Sequence, residues 1–423
     1  MTGPRGPIAQ RAARGLFYTL LFALPFSQAA IEIIFPLLLI CWIAGWLPRN
    51  AKPRSLWALG PAQTVLFSLL VYAAVCTWSV SFSSYPKLSL VGLIGKTYEY
   101  ILLFFIISDI GRDPETAHRG LTTLLWSALL VCLYALIQQT VGIALLQKGA
   151  HEVHQHILRY GRMVGPYKNP NNLATYLMVV ATVTAAQIMA QPKRARYGLW
   201  GLATLLVVCL AFTQSKGAYT GFMVGLILLA VFNSQGTRKP ALGTGAVILL
   251  LSGAVILLQK GYLAKILTLS DAGSQERSVM WNTAWRMIQD KPIWGHGINT
   301  FMANYLTYVT GPNQGPAYAH NCFLQITAEN GLVGLAFFLW FLIALFALLR
   351  VSLKKSPGPP SESPTKPWLA GLAAGLIAFL IQSMFDTNLY ALRQATLFWT
   401  VAGIAVGLSV HLLDNDELGT TIR

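Results

Sequence analysis

The chain is a succession of apolar runs, at about 15–28, 30–47, 61–80, 89–108, 120–141, 171–190, 198–213, 217–233, 242–259, 322–349, 368–388 and 394–412. A helix that crosses a bilayer needs about 20 predominantly apolar residues. The 423 residues therefore hold on the order of a dozen spans and little else. Charged residues make up 11% of the chain and hydrophobic ones 55%, where a soluble domain carries roughly 25% charge. The expectation is an all-α polytopic membrane protein of about 12 transmembrane helices, one transmembrane domain over 1–423. A polar stretch at 260–321 interrupts the pattern and reads as one large external loop containing helices.

The net charge of +16 would suggest nucleic acid in a soluble protein. Here the charge falls in short loops, where the positive-inside rule accounts for it, and nucleic-acid binding is set aside. With the N-terminus placed in the cytoplasm, every cytoplasmic segment is basic: Arg5, Arg11 and Arg14, then Arg49, Lys52 and Arg54, then Arg112 and Arg119. Lys193, Arg194 and Arg196, then Arg238 and Lys239, then Arg350, Lys354, Lys355 and Lys366, and finally Arg423 continue the alternation. The first apolar run resembles a signal peptide, with Ser27-Gln28-Ala29 as a cleavage site, but apolar sequence resumes through Ile31 to Trp46, and an uncleaved hairpin is expected. Cys41, Cys76, Cys132, Cys209 and Cys322 are scattered and odd in number, which indicates neither a disulfide framework nor a cysteine metal site.

Other cations violate the topology rule. They include Lys87, Lys96, Lys148, Arg159, Arg162, Lys168, Lys216, Lys260, Lys265, Arg277, Arg286, Lys291 and Arg393. Most lie in the external segments 142–170 and 260–321, with Lys216 at a tight external turn. If they converge on one face they form an anion site beside the bilayer. If they do not, they are snorkelling or solvated loop charges. Small residues at Gly217, Gly221 and Gly225, at Gly371 and Gly375, and at Gly403 and Gly407 read as close helix packing. The proline- and serine-rich stretch from Lys354 to Lys366 reads as a linker.

Within the large loop, helical spacing puts Arg277, Trp281, Ala284 and Ile288 on one face, and Pro292 ends the helix. Arg286 lies nearly opposite Arg277 and is expected to pair with Asp290 at i+4. A glycine-rich turn, Trp294-Gly295-His296-Gly297-Ile298-Asn299, follows. His320 and Asn321 then open the next span, with Glu329 and Gly331 beyond them. A lone histidine is commonly structural, but a titratable group at the membrane surface among cations is a candidate base, because nearby positive charge keeps an imidazole neutral. In the other external segment, Asn169 or Asn171 caps the following helix, which either serves the cap alone or aims backbone N–H groups at an anion near Arg162. His151, His154, His156 and Glu152 have imperfect spacing for a metal, and no metal site is assigned. Asp414-Asn415-Asp416, an Asp-x-Asp match, lies in a polar tail and is read as solvating charge. The spacing of Arg286 and Gly297 fits a pattern of O-antigen polymerases, but only cheaply.

Taken together, these motifs resemble those of the O-antigen ligases and related O-antigen polymerases. The likeness is carried by Gly165 with Asn169-Pro170-Asn171, by Ser215-Lys216-Gly217, by Arg277 with Trp281, Ala284, Met287, Pro292, Gly295 and Gly297, and by His320-Asn321 with Leu324, Glu329 and Gly331. Asp386 is a weaker match. The resemblance implies transfer of a glycan from undecaprenyl pyrophosphate to a sugar hydroxyl of lipid A core, at the periplasmic face of the bacterial inner membrane and among its lipids. It makes 260–321 a periplasmic loop, His320 the base, and Arg162, Lys216 and Arg277 the pyrophosphate ligands. Asn321, Asn169, Asn171, Arg286 and Glu329 are secondary candidates, and neither metal nor other cofactor is implied. The family commonly has arginine where this chain has Lys216, which lacks the bidentate fork. A polymerase or a transferase to protein is the nearer alternative. A transporter is the distant one, since it would want charges near the bilayer midplane.

Overall fold

The computed structural model describes residues 8–46, 60–141, 156–157, 160–191, 193–232, 272–310, 315–355 and 364–420. The described residues are helical and contain no strand. In a bilayer, a helix satisfies its own backbone groups where no water is present to do so. In chain order the helices are α1 (Ile8–Ala23), α2 (Gln28–Trp46), α3 (Gly60–Ser79), α4 (Pro86–Leu93), α5 (Glu99–Ile110), α6 (Pro114–Val141) and α7 (Pro170–Ala190). There follow α8 (Lys193–Thr213), α9 (Lys216–Phe232), α10 (Ala272–Asp290), α11 (Phe301–Tyr308), α12 (Cys322–Lys355), α13 (Thr365–Gln382) and α14 (Leu392–Thr420). A π turn, Ile94–Tyr98, joins α4 to α5 into one span. Among the described residues nine segments are long and apolar enough to cross a membrane, and α9 is a shorter apolar helix. The chain is thus an all-α, multi-pass membrane protein. The expected span at 242–259 and the linker core lie outside the described residues, as do His151, His154 and Arg159.

Burial sorts the helices. The span windows of α7 and α14 are 94% and 89% buried, whereas that of α2 is 22% buried, so α7 and α14 form the centre and α2 faces outward. The expected glycine stripes lie at these close crossings. A Cβ on Gly221 would meet the Ala378 carbonyl of α13 at 2.5 Å, and one on Gly375 would meet Thr182 Oγ1 of α7 at 2.8 Å. One on Gly407 would meet the Ser108 carbonyl of α5 at 2.6 Å. α1 and α2 pack together as the expected hairpin.

The cations assigned to opposite sides of the membrane are found at opposite ends of the bundle. At one end Arg14 approaches Asp113 at 3.8 Å and Arg112 pairs with Asp414 at 3.4 Å. Asp414 is therefore not simply solvating tail charge, because α14 continues past the span and returns it to the α5–α6 turn. At the other end lie the starts of α7, α9, α12 and α14 and the ends of α3, α8 and α13.

α12 is broken at Gly331, whose φ of 70° is left-handed. The turn between α10 and α11 threads across that break. His296 N–H donates to the Ala328 carbonyl at 3.0 Å, Gly297 N–H to the Glu329 carbonyl at 2.8 Å, and Leu332 N–H to the Pro292 carbonyl at 2.8 Å. A Cβ on Gly331 would overlap the Ile293 carbonyl, so only glycine fits there. A second apolar cluster then seats α10 and α11 on α12 through Met280, Ala284, Met287, Ile288, Phe301 and Tyr305 against Ala319 and Ala328.

Candidate functional site

His320 lies immediately before α12 with a φ of 47°, a left-handed conformation that non-glycine residues seldom adopt. Asn321 is the cap that starts the helix, its Oδ1 accepting the Phe323 and Leu324 N–H groups at 2.9 and 3.1 Å. That fixes the turn from which the imidazole projects. His320 Nδ1 stands 3.2 Å from Asp386 Oδ1, with the two side chains 33% and 10% exposed, so one partner is accessible and the other sheltered. Asp386 Oδ1 also accepts the Thr387 N–H at 2.8 Å.

The segment between α13 and α14 presents Asp386, and the start of α12 holds that segment in place. Cys322 N–H donates to the Ser383 carbonyl at 2.8 Å, and its buried thiol lies 3.3 Å from both the Asp386 carbonyl and Asn388 Oδ1. The Ser383 hydroxyl donates to Asn388 Oδ1 at 2.7 Å. The surroundings of the imidazole therefore differ from the cationic ones expected, since its charged partner is a carboxylate. The two residues are 66 positions apart, and only the tie between α12 and the 383–391 segment brings them together.

Two of the expected cations reach the same end of the bundle. Arg162 Nε donates to the Thr213 carbonyl at 2.9 Å, and Nη2 donates to Asn171 Oδ1 at 3.0 Å. Thr213 closes α8, and Lys216 opens α9 after a turn in which Gln214 has a φ of 53°. Asn169 caps α7, accepting the Asn171 N–H at 2.8 Å, so it is Asn169 that caps and Asn171 that orients Arg162. From there the contacts run to the histidine. Gln382 Nε2 donates to the Asn171 carbonyl at 3.1 Å, and Gly217 packs so closely that a Cβ there would lie 3.2 Å from Phe385, next to Asp386.

Arg277 is half-buried on α10, one turn before Met280, which packs in the cluster that contains Ala319. Its helix thus abuts the residue preceding His320. Arg286 is exposed and does not pair with Asp290. Asp290 accepts the Tyr308 hydroxyl at 2.6 Å instead, because α11 folds back over the end of α10. Glu329 also departs from its candidate role. Its buried carboxylate accepts the Asn299 and Phe301 N–H groups at 2.9 and 3.1 Å, neutralising the start of α11 and pinning the glycine-rich turn. Arg393 is likewise committed to the fold, donating to the Pro25 and Pro166 carbonyls at 2.8 and 2.9 Å and stacking over Tyr167 at 4.3 Å.

The arrangement can hold a proton acceptor at the membrane boundary, backed by a carboxylate, near fixed cations. Comparison with known proteins agrees in kind. Residues 201–339 match the family described as O-antigen ligase. The chain is 27% identical over 150 residues to an O-antigen ligase of Salmonella typhimurium, covering 32% of this chain and 36% of that protein. It is 25% identical over 294 residues to a general O-oligosaccharyltransferase of Acinetobacter baylyi, covering 64% of this chain and 50% of that protein. The chain thus spans half or less of the length of these relatives. The matched family region includes Lys216, Arg277 and His320 but ends before Asp386.

Proposed function

We propose, with similarity to the O-antigen ligases as the premise, that this chain is a glycosyltransferase. It moves a glycan from undecaprenyl pyrophosphate to an acceptor hydroxyl at the periplasmic face of the bacterial inner membrane, with both termini in the cytoplasm. The observation that carries the reading is the His320–Asp386 pair at 3.2 Å. A carboxylate accepting the Nδ1 proton fixes the tautomer that leaves Nε2 able to accept a proton, and it stabilises the imidazolium that then forms. In the proposed step the acceptor oxygen bonds to the anomeric carbon as its proton passes to Nε2. The bond from that carbon to the phosphate oxygen breaks, and the electron pair leaves with undecaprenyl pyrophosphate. Arg162, Lys216 and Arg277 stabilise the departing charge. Arg162 suits this because two hydrogen bonds already fix its guanidinium, and preorganised donors contribute most at developing charge.

A sugar hydroxyl of lipid A core is the first acceptor proposed. A protein hydroxyl is the second, favoured by the O-oligosaccharyltransferase relative, which aligns with 64% of this chain. The test is purified full-length protein in lipid nanodiscs with a lipid-linked glycan donor, offered lipid A core, a serine-containing peptide and a second lipid-linked glycan in turn. Transfer to core is expected, and His320→Ala should reduce it by about 10²–10⁴-fold with the protein still monodisperse. Transfer to none of the three, or near-normal turnover by the variant, overturns the reading. Transfer to the peptide alone selects the second acceptor.

A further inference from the structure

Lys96 is the one lysine or arginine in the interior of the span Pro86–Ile110, with Lys87 at its start and Glu99 and Asp109 as its acidic residues. It sits where that helix widens into the π turn Ile94–Tyr98. Charges at such positions are costly and retained for a reason, and π turns are frequent at functional sites. Its ammonium has three N–H donors to place. It donates to Asn299 Oδ1 at 2.8 Å, and its nitrogen lies 5.7 Å from the Tyr318 ring centre and 5.6 Å from that of Tyr390. The two rings contact each other, with centres 6.4 Å apart. One hydrogen bond and two rings within cation–π range surround the ammonium, so it is engaged by the protein itself.

Its partners belong to three segments that share no helix. Tyr318 lies two residues before His320, Tyr390 lies four residues after Asp386, and Asn299 ends the glycine-rich turn. Asn299 has a φ of 63° and rests on Gly92, one turn before Lys96, where a Cβ would overlap its side chain. Its N–H also donates to Glu329. Lys96 therefore binds both approaches to the histidine–aspartate pair and fastens them to a framework that Glu329 already holds rigid.

We propose that Lys96 is a positioning residue: by clasping Tyr318 and Tyr390 and anchoring on Asn299, it sets His320 opposite Asp386. The proposal rests on the transfer reading above for its kinetic consequence but not for its geometry. The experiment uses full-length protein in nanodiscs and the variants Lys96→Gln, Lys96→Arg, Tyr318→Leu and Asp386→Asn. Kinetically, Lys96→Gln should lower kcat by about 100-fold while leaving the donor KM within about twofold, the signature of misplacement rather than lost binding. Lys96→Arg, which keeps both cation and stacking, should recover most of that loss. Tyr318→Leu should act in the same direction while leaving Lys96 in place, so the idea survives a Lys96→Gln protein that fails to fold.

The second readout needs no activity. The rate at which diethyl pyrocarbonate modifies His320, followed by mass spectrometry of its peptide at neutral pH, should shift in Lys96→Gln and Tyr318→Leu towards the rate in Asp386→Asn. An unchanged His320 rate in both variants overturns the proposal. So does a raised donor KM at unchanged kcat, which would make Lys96 a substrate ligand. If the unmodified protein transfers nothing, the transfer reading falls, and the modification rates alone decide the role of Lys96.

Discussion

Asp386 uses its two carboxylate oxygens unequally: Oδ1 meets His320 and the Thr387 N–H, while Oδ2 is buried with no described hydrogen-bond partner. Much of what stabilises the ionised carboxylate is thus concentrated on the side facing the imidazole. Asp386→Asn tests this, because an amide oxygen still accepting the Thr387 N–H keeps the geometry but removes the negative charge that stabilises the imidazolium. We expect transfer to fall by roughly 100-fold or more, with kcat rather than donor KM carrying the loss. Arg277→Ala should do the reverse, weakening donor binding more than acceptor binding. Titration of the variant with lipid-linked donor checks this, and unchanged donor affinity would remove Arg277 from the pyrophosphate site. Asp386 was only a weak motif match in the sequence, since nothing local signals a partner 66 residues away. Lys96 did carry a signal, a cation inside an apolar run, but in the sequence it was one misplaced cation among several.

At the scale of elements, the α10–α11 cap depends on His296. Its imidazole is 1% exposed, and Nε2 lies 3.1 Å from the Met287 carbonyl, which identifies the proton as residing on that nitrogen. Burial first, with Lys291 acting in the same direction, pushes this histidine below its ordinary value of 6.5. The folded cap therefore prefers the neutral ring, whereas an unfolded cap takes up a proton as pH falls through about 6.5. The stabilisation is complete above that pH and is lost progressively below it. Hydrogen exchange over residues 280–308 should be faster at pH ~5.5 than at pH ~7.5 once corrected for intrinsic rates, and His296→Gln should flatten the difference. A pH-independent pattern would refute the assignment. Gly331→Ala should destabilise the same cap by more than about 1 kcal/mol, because it combines a left-handed φ with overlap against the Ile293 carbonyl. A thermal melt reads that loss. Hydropathy foretold α12 as an unbroken run at 322–349; the break was hidden because a single glycine does not change the hydropathy of a span.

For the whole molecule, the sequence was most informative about what crosses the membrane. Expected runs at 171–190 and 61–80 correspond to Pro170–Ala190 and Gly60–Ser79, and Arg14 and Arg112, assigned to one side, meet Asp113 and Asp414 at one end of the bundle. It was least informative about convergence. Arg162 and Lys216 could be placed on one external face, but only tertiary structure links Arg162 through Asn171 and Gln382, and the Lys216 turn through Gly217 against Phe385, to the segment bearing Asp386. In the transfer proposed above, Arg162, Lys216 and Arg277 take the place of the counter-charge that a divalent ion would otherwise bring to a pyrophosphate. Transfer should therefore persist in EDTA, and activity restored by added Mg²⁺ or Mn²⁺ after chelation would contradict this.

The Arg393 clasp has a bearing on how such a protein is made. A guanidinium from α14 holds the carbonyls of Pro25, in the α1–α2 hairpin, and Pro166, ahead of α7. Those segments leave the ribosome hundreds of residues earlier, so during synthesis their carbonyls have no such donor. Insertion of the helices can proceed in order, but this end of the bundle closes only when α14 arrives. Chains that include α14, rather than shorter nascent ones, are where protease resistance of the 160–169 segment should first appear.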